Sequence, residues 1–228
     1  MMEIRIRQAQ IADVDQVVDM DSRVWQSYPT THECIISRIT VFPEGNLVSI
    51  INGKVVGYAC CMFFTKTDKL LSWDQLTENG TIKNHDPNGK DFFGVALTID
   101  PDFQQKGIGM RLMVGLGAIL VRHGIEFAYL GSRIPHYHLH STKYPDPKEY
   151  VEALDKRKRL LDPELDFYSK AGFTVVSVVP NYIDDPESLD YGVIIETKNP
   201  FFLLKLPRIK FLYSFYERIW NWLGLRMY

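Results

Sequence analysis

The chain has 228 residues, of which 46% are apolar and 24% charged, with a formal net charge of -2 at neutral pH. These values describe one medium domain with at most a small appendage, and they exclude a disordered chain and a polycation built to hold nucleic acid. The charge is unevenly spread: residues 200–228 carry five basic side chains (Lys205, Arg208, Lys210, Arg218, Arg226) and one acidic, Glu217, leaving 21 basic against 27 acidic in the remainder.

In chain order, the alternation in EIRIRQ (residues 3–8) predicts a strand, and apolar residues at 11, 14, 17, 18, 20 and 24 predict a helix to Trp25. A second helix is expected over 31–42, stopped by Pro43-Glu44-Gly45. NLVSIING and KVVGYACCMFF, residues 46–53 and 54–64, predict a hairpin turning at Asn52-Gly53. Residues 65–90 form a long polar connection, of the kind that is functional or poorly ordered. A strand at 91–99, a helix at 106–123 ended by Gly124, and a strand at 126–131 follow. The next connection, 132–161, is also long. Asp162 as cap, Pro163 at the first helical position and Gly172 as stop define a clear helix before strands at 173–179 and 190–197. This order predicts an α/β fold with a mixed sheet of about seven strands.

The three cysteines, Cys34, Cys60 and Cys61, are odd in number and match no zinc spacing. Neighbours on a strand point to opposite faces, so Cys60 and Cys61 are not expected to pair, and a reducing compartment is implied. The opening MMEIRIRQAQ has no signal-peptide core. The longest uncharged apolar run, LMVGLGAILV at 112–121, is too short to span a bilayer. A cytoplasmic location is expected.

The most informative stretch is DPDFQQKGIGMRLM, residues 100–113, directly after the apolar run FFGVALTI. Two glycines in an opening helical turn cost stability, so they need a reason. A helix start offers unpaired N–H groups and a partial positive charge, and glycines at 107 and 109 let an anion approach the backbone. Lys106 and Arg111 would add charge. A packed, glycine-containing helix is the plain alternative. The spacing lacks the GxxxxGK[ST] of a nucleotide P-loop, and Leu112 stands where a dinucleotide fingerprint needs its third glycine.

What remains, Gln104-x-x-Gly107-x-Gly109, resembles the acyl-CoA signature of the GNAT acetyltransferase superfamily, and DFYSKAGF at 166–173 resembles that superfamily's later helix–strand motif. The resemblance covers residues 3–197. FPEGNLV, GKVVGYA and NYIDDPESLDYGV, at 42–48, 53–59 and 181–193, are similar to a subgroup fused to carbon–nitrogen hydrolases or placed in polyketide synthase loading modules.

The resemblance implies a GNAT catalytic domain over 1–199 that binds acetyl-CoA and passes its acetyl group to a primary amine, on a small molecule or a protein, by direct attack. Gln104, Gln105, Lys106, Gly107, Ile108, Gly109 and Met110, with Thr98 and Ile99, would hold the cofactor. The thioester would lie between the strands at 91–99 and 126–131. Tyr168 would be the acid for the departing thiolate. The strand before the cradle carries no glutamate base, so His138 is favoured for that role, with Glu33 as a further candidate. Trp25, Tyr28 and His136 are expected at the acceptor site, whose walls are 25–33, 65–90 and 132–160.

On an extended segment His136, His138 and His140 would point one way, but no carboxylate or cysteine completes a metal set, and no metal is expected. Polyketide loading domains of this type place Trp, Thr and His near the acyl group. Trp25, Thr98 and a histidine of 136–140 could match them, which implies acyl transfer to a thiol or decarboxylation as the alternative. A CoA-binding or membrane-associated module without catalysis is the third reading. The segment 200–228 predicts a basic amphipathic helix beyond Pro207, with its own domain or a second subunit, a membrane interface or another protein as partner.

Overall fold

The computed structural model describes residues 4–25 and 28–202; the amphipathic helix expected at 208–228 lies outside the described residues. Seven strands are β1 (Arg5–Gln8), β2 (Asn46–Ile51), β3 (Lys54–Phe64), β4 (Asp91–Ile99), β5 (Phe127–Ser132), β6 (Thr174–Val179) and β7 (Gly192–Lys198). They form one mixed sheet in the order β1-β2-β3-β4-β5-β7-β6. The helices are α1 (Val14–Val24), α2 (His32–Val41), α3 (Trp73–Thr77), α4 (Ile108–His123), α5 (Tyr137–His140), α6 (Pro147–Val151) and α7 (Pro163–Lys170). Among the described residues no helix is long and apolar enough to cross a membrane.

The chain divides into two compact units. Among the described residues, one comprises 4–25, 28–66, 80–128 and 198–202; the other comprises Thr67–Asn79 and Tyr129–Thr197.

In the first unit β3 is the spine. Residues 55 to 63 are all buried, as expected of a strand covered on both faces, where an unbroken apolar run replaces alternation. It pairs antiparallel with β2 and β4. The β2–β3 turn is Asn52-Gly53, with φ of 50° and 80°, the positive values that a two-residue hairpin turn demands. Helix α4 approaches β3 at Gly57, where an added Cβ would lie 3.0 Å from Leu112 and 3.1 Å from Ile108. Cys60 and Cys61 are buried; burial pushes the Cys60 thiol up to about 11, so it remains an inert core residue.

The second unit gathers Ile134, Tyr137, Tyr150, Val151, Leu165, Val193 and Ile195 into its core. The caps read from the sequence are present here. Asp162 accepts from the N–H groups of Glu164 and Leu165, Pro163 is the first residue of α7, and Gly172 follows with φ of 84°.

Two expectations change. The 65–90 connection contains a capped helix: Ser72 and Gln75 close a reciprocal box at the start of α3, and Thr77 and Ile82 are fully buried. The segment 136–140, considered above as an extended segment, is a helical turn. The Tyr137 N–H bonds to the Ile134 carbonyl at 2.8 Å and the Leu139 N–H to the His136 carbonyl at 3.1 Å. Tyr137 is drawn into the core, and His136 and His138 are exposed on either side of it. The three histidines therefore do not line one face, and no group of three metal-ligating side chains occurs among the described residues.

Candidate active site

In the first unit β4 leads into the glycine turn. Asp100 accepts from the Asp102 N–H at 3.1 Å and starts a tight turn over Pro101–Phe103. Gln105 and Gly107 then take left-handed φ values of 57° and 74°. Gly107 is the cap of α4 and supplies no side chain to its N–H groups, and no acidic residue lies in that first turn. Amide donors at an uncapped, glycine-opened helix start are available to an anion. Lys106 is turned elsewhere: its ammonium donates to the Asp102 carbonyl at 2.7 Å and sits 4.7 Å from the Phe103 ring centre. The Gln104 amide reaches the Ile99 carbonyl at 3.5 Å. Gln104, Gln105 and Lys106 are all exposed.

The end of β4 is fastened to the end of α1. The Trp25 indole N–H donates to the Thr98 hydroxyl at 3.0 Å, and that hydroxyl donates to Asp21 at 2.8 Å. Asp21 also accepts from the Thr30 N–H at 2.8 Å. Two residues beyond Asp21 and Thr98 respectively, Arg23 binds Asp100. Burial pushes the Asp100 carboxyl up, but hydrogen bonds from Lys54 and Arg23 outweigh it and hold the group below its ordinary value. Sequence reasoning brought Trp25 and Thr98 forward and missed Asp21. A signal existed: Asp21 falls seven residues after Val14 and four after Val17, on the buried stripe of α1.

In the second unit Tyr168 lies on α7, half-buried, with its ring edge-on to Phe173 at 6.0 Å. Burial, reinforced by the nearby Glu164 carboxyl, raises its phenol well above the ordinary value, so it stays protonated at neutral pH. Glu164 is one helical turn earlier. Burial among protein atoms pushes its carboxyl up to about 7, against the pull of Arg133. A third of the side chain still meets solvent (32%), which tempers that effect. Arg133 compensates it weakly at 3.8 Å, being committed to Asp185 at 2.7 Å and Glu187 at 2.7 Å.

Tyr182, within the 181–193 stretch, has a buried hydroxyl with no hydrogen-bond partner among the described residues, and its phenol is raised by burial and by Tyr168. Glycines at 131 and 192 make room for its ring.

His138 has Nδ1 at 2.9 Å from the carbonyls of both Pro135 and Glu187. Carbonyls only accept, so Nδ1 carries the proton and Nε2 the lone pair. His136 donates its backbone N–H to Asp162 at 3.3 Å. Glu33 and Tyr28 are exposed in the first unit, Glu33 in the opening turn of α2 and Tyr28 with its N–H on the Trp25 carbonyl at 3.2 Å.

No family model matches the chain. Over 206 residues it is 31% identical to the uncharacterized N-acetyltransferase YkwB of Bacillus subtilis, covering 87% of this chain and 90% of that protein. It is 29% identical over 218 residues to the probable hydrolase YhcX of the same organism, covering 94% of this chain but 42% of that longer protein. Among solved structures, the GphF GNAT-like decarboxylase in complex with isobutyryl-CoA superposes with a TM-score of 0.76 at 24% identity, covering 86% of this chain and 99% of that one. The glycine turn after β4, the seven-stranded order and the near-complete match to YkwB agree: the chain belongs to the GNAT superfamily of N-acetyltransferases.

Proposed function

We propose that this protein transfers an acetyl group from acetyl-CoA to a primary amine. The observation that carries the reading is the start of α4: a glycine-opened helix terminus with no side-chain cap, directly after β4. Amides from Gln105 to Met110 would hold the pyrophosphate, and the left-handed Gly107 shapes the turn that aims them. Family membership and the isobutyryl-CoA bound to GphF support the same ligand.

Acetyl-CoA supplies the thioester that the amine attacks. A primary alkylamine of pKa ~10.4 is only about four parts in ten thousand neutral at pH 7, so a proton acceptor is needed. His138 is assigned that role, since its tautomer leaves the Nε2 lone pair exposed. As the C–N bond forms and the C–S bond breaks, Tyr168 protonates the departing thiolate, a role suited to a phenol kept neutral by burial and by Glu164.

A second reading has one observation in its favour. The Trp25–Thr98 hydrogen bond joins two residues proposed above to lie near the acyl group in acyl transfer to a thiol or decarboxylation, and GphF is described as a decarboxylase. Melting curves with acetyl-CoA, CoA, ATP and NAD, for the wild type and Gly109→Val, test the cofactor. Stabilisation by both CoA forms that the variant loses is expected; no stabilisation by either would overturn the proposal. Amine-dependent release of free CoA then separates amine transfer from the thiol reading and from a binding module without catalysis.

A further inference from the structure

We infer that Asp21 is the positioning residue of the acyl-transfer site, holding the Trp25 indole in one orientation through the Thr98 hydroxyl. The proposal deepens the reading above, because it takes Trp25 as a wall of the acceptor site.

The direction of the hydrogen-bond chain is forced by chemistry. An indole N–H can only donate, so Thr98 Oγ1 must accept at that contact. The Thr98 hydroxyl has one proton, which it donates to Asp21 Oδ1 at 2.8 Å. Asp21 completes the arrangement from three sides. One carboxylate oxygen takes Thr98 at 2.8 Å, the other takes the Thr30 N–H at 2.8 Å, and its backbone carbonyl takes the Trp25 N–H at 2.8 Å. Trp25 and Thr30 are therefore both tied to one residue.

Asp21 is 2% exposed, Thr98 1%, and no cation is paired with Asp21 among the described residues. A buried carboxylate without a counter-ion is costly unless its hydrogen bonds are met. An apolar residue at this place on the α1 stripe would pack at lower cost, but it would leave the Thr98 proton and the Thr30 N–H unmatched. With its N–H spent on Thr98, the indole has no donor left for a ligand, so its part in the site is one of shape and orientation.

The test uses the full chain with 15N-labelled tryptophan, the Trp25 indole signal being assigned with Trp25→Phe. Solvent exchange of that N–H should be at least about tenfold faster in Asp21→Ala and in Thr98→Val than in the wild type, while Thr98→Ser keeps the protection. With benzylamine as acceptor, Asp21→Ala should raise the amine KM with kcat little changed, and acetyl-CoA should stabilise it as it does the wild type. If acetyl-CoA stabilises neither protein, the cofactor reading fails and the exchange data still decide the role of Asp21. Equal protection in the wild type and Asp21→Ala overturns the proposal. Should Asp21→Ala not fold, the comparison passes to Thr98→Val against Thr98→Ser, and equal protection in those two overturns it.

Discussion

The guanidinium of Arg23 lies 3.0 Å from the Asp100 carboxylate, and the Lys54 ammonium meets the same oxygen at 2.9 Å. Asp100 is fully covered while its two partners are partly exposed, so the triad pins the entry to the glycine turn at one buried point. Asp100→Asn removes the charge and should cost about 1–2 kcal/mol at neutral pH, tempered by solvent at the two cations. The Asp100 carboxyl is held below its unfolded value. Its contribution is therefore complete above about pH 4 and is lost as the pH falls further. Urea melts should show the wild type and variant converging below that pH.

Gly107 occupies φ of 74° at the cap of α4. Gly107→Ala forces a Cβ into the left-handed region and should cost about 1 kcal/mol or more. Because the strain sits within the turn, the thermal shift with CoA should weaken together with stability. An unchanged shift would detach the turn's shape from ligand binding.

Tyr168→Phe keeps the ring against Phe173 and removes only the hydroxyl. Turnover should fall about a hundredfold, in the range expected of a general acid, with the melting temperature nearly unchanged. Steady-state rates at saturating acetyl-CoA measure this, and full turnover in the variant would remove Tyr168 from the chemistry.

Glu164 has its carboxyl raised to about 7 by burial, with Arg133 opposing and Asp162, Asp185 and Glu187 adding to the rise. A carboxyl whose folded value exceeds the unfolded ~4.3 favours the fold most at low pH, and that advantage fades as the pH rises through 7. Glu164→Gln cannot ionise. Its stability relative to the wild type should improve between pH 5 and pH 8; a gap that stays constant would mean the carboxyl is not raised.

Gly131 leaves the space that the Tyr182 ring and hydroxyl fill. Gly131→Ala places a methyl group onto that ring and should destabilise by about 1–3 kcal/mol. Tyr182→Phe deletes a buried hydroxyl that has no partner among the described residues, so it should be neutral or slightly stabilising. Chemical denaturation of the two single variants checks both.

Much of the fold is written in short-range chemistry. Asn52-Gly53 demands a hairpin, Asp162-Pro163 starts a helix and Gly124 ends one, each through interactions within a few residues. The glycine turn was legible for the same reason: β4, the left-handed Gly107 and α4 are consecutive. His136–His140 was misjudged because spacing alone does not reveal that Tyr137 enters a core and curls its neighbours into a helical turn. Asp21 to Thr98 and Arg23 to Asp100 each span 77 positions, and Arg133 to Asp185 spans 52. Such pairings depend on which helix end meets which strand end or loop, and only side-chain packing across those distances selects them. The sequence by itself determined the elements and the anion-ready turn. Tertiary structure decided which buried carboxylates stand behind Trp25, Thr98 and the entry to that turn, because a charge is tolerated in the interior only where distant donors converge on it.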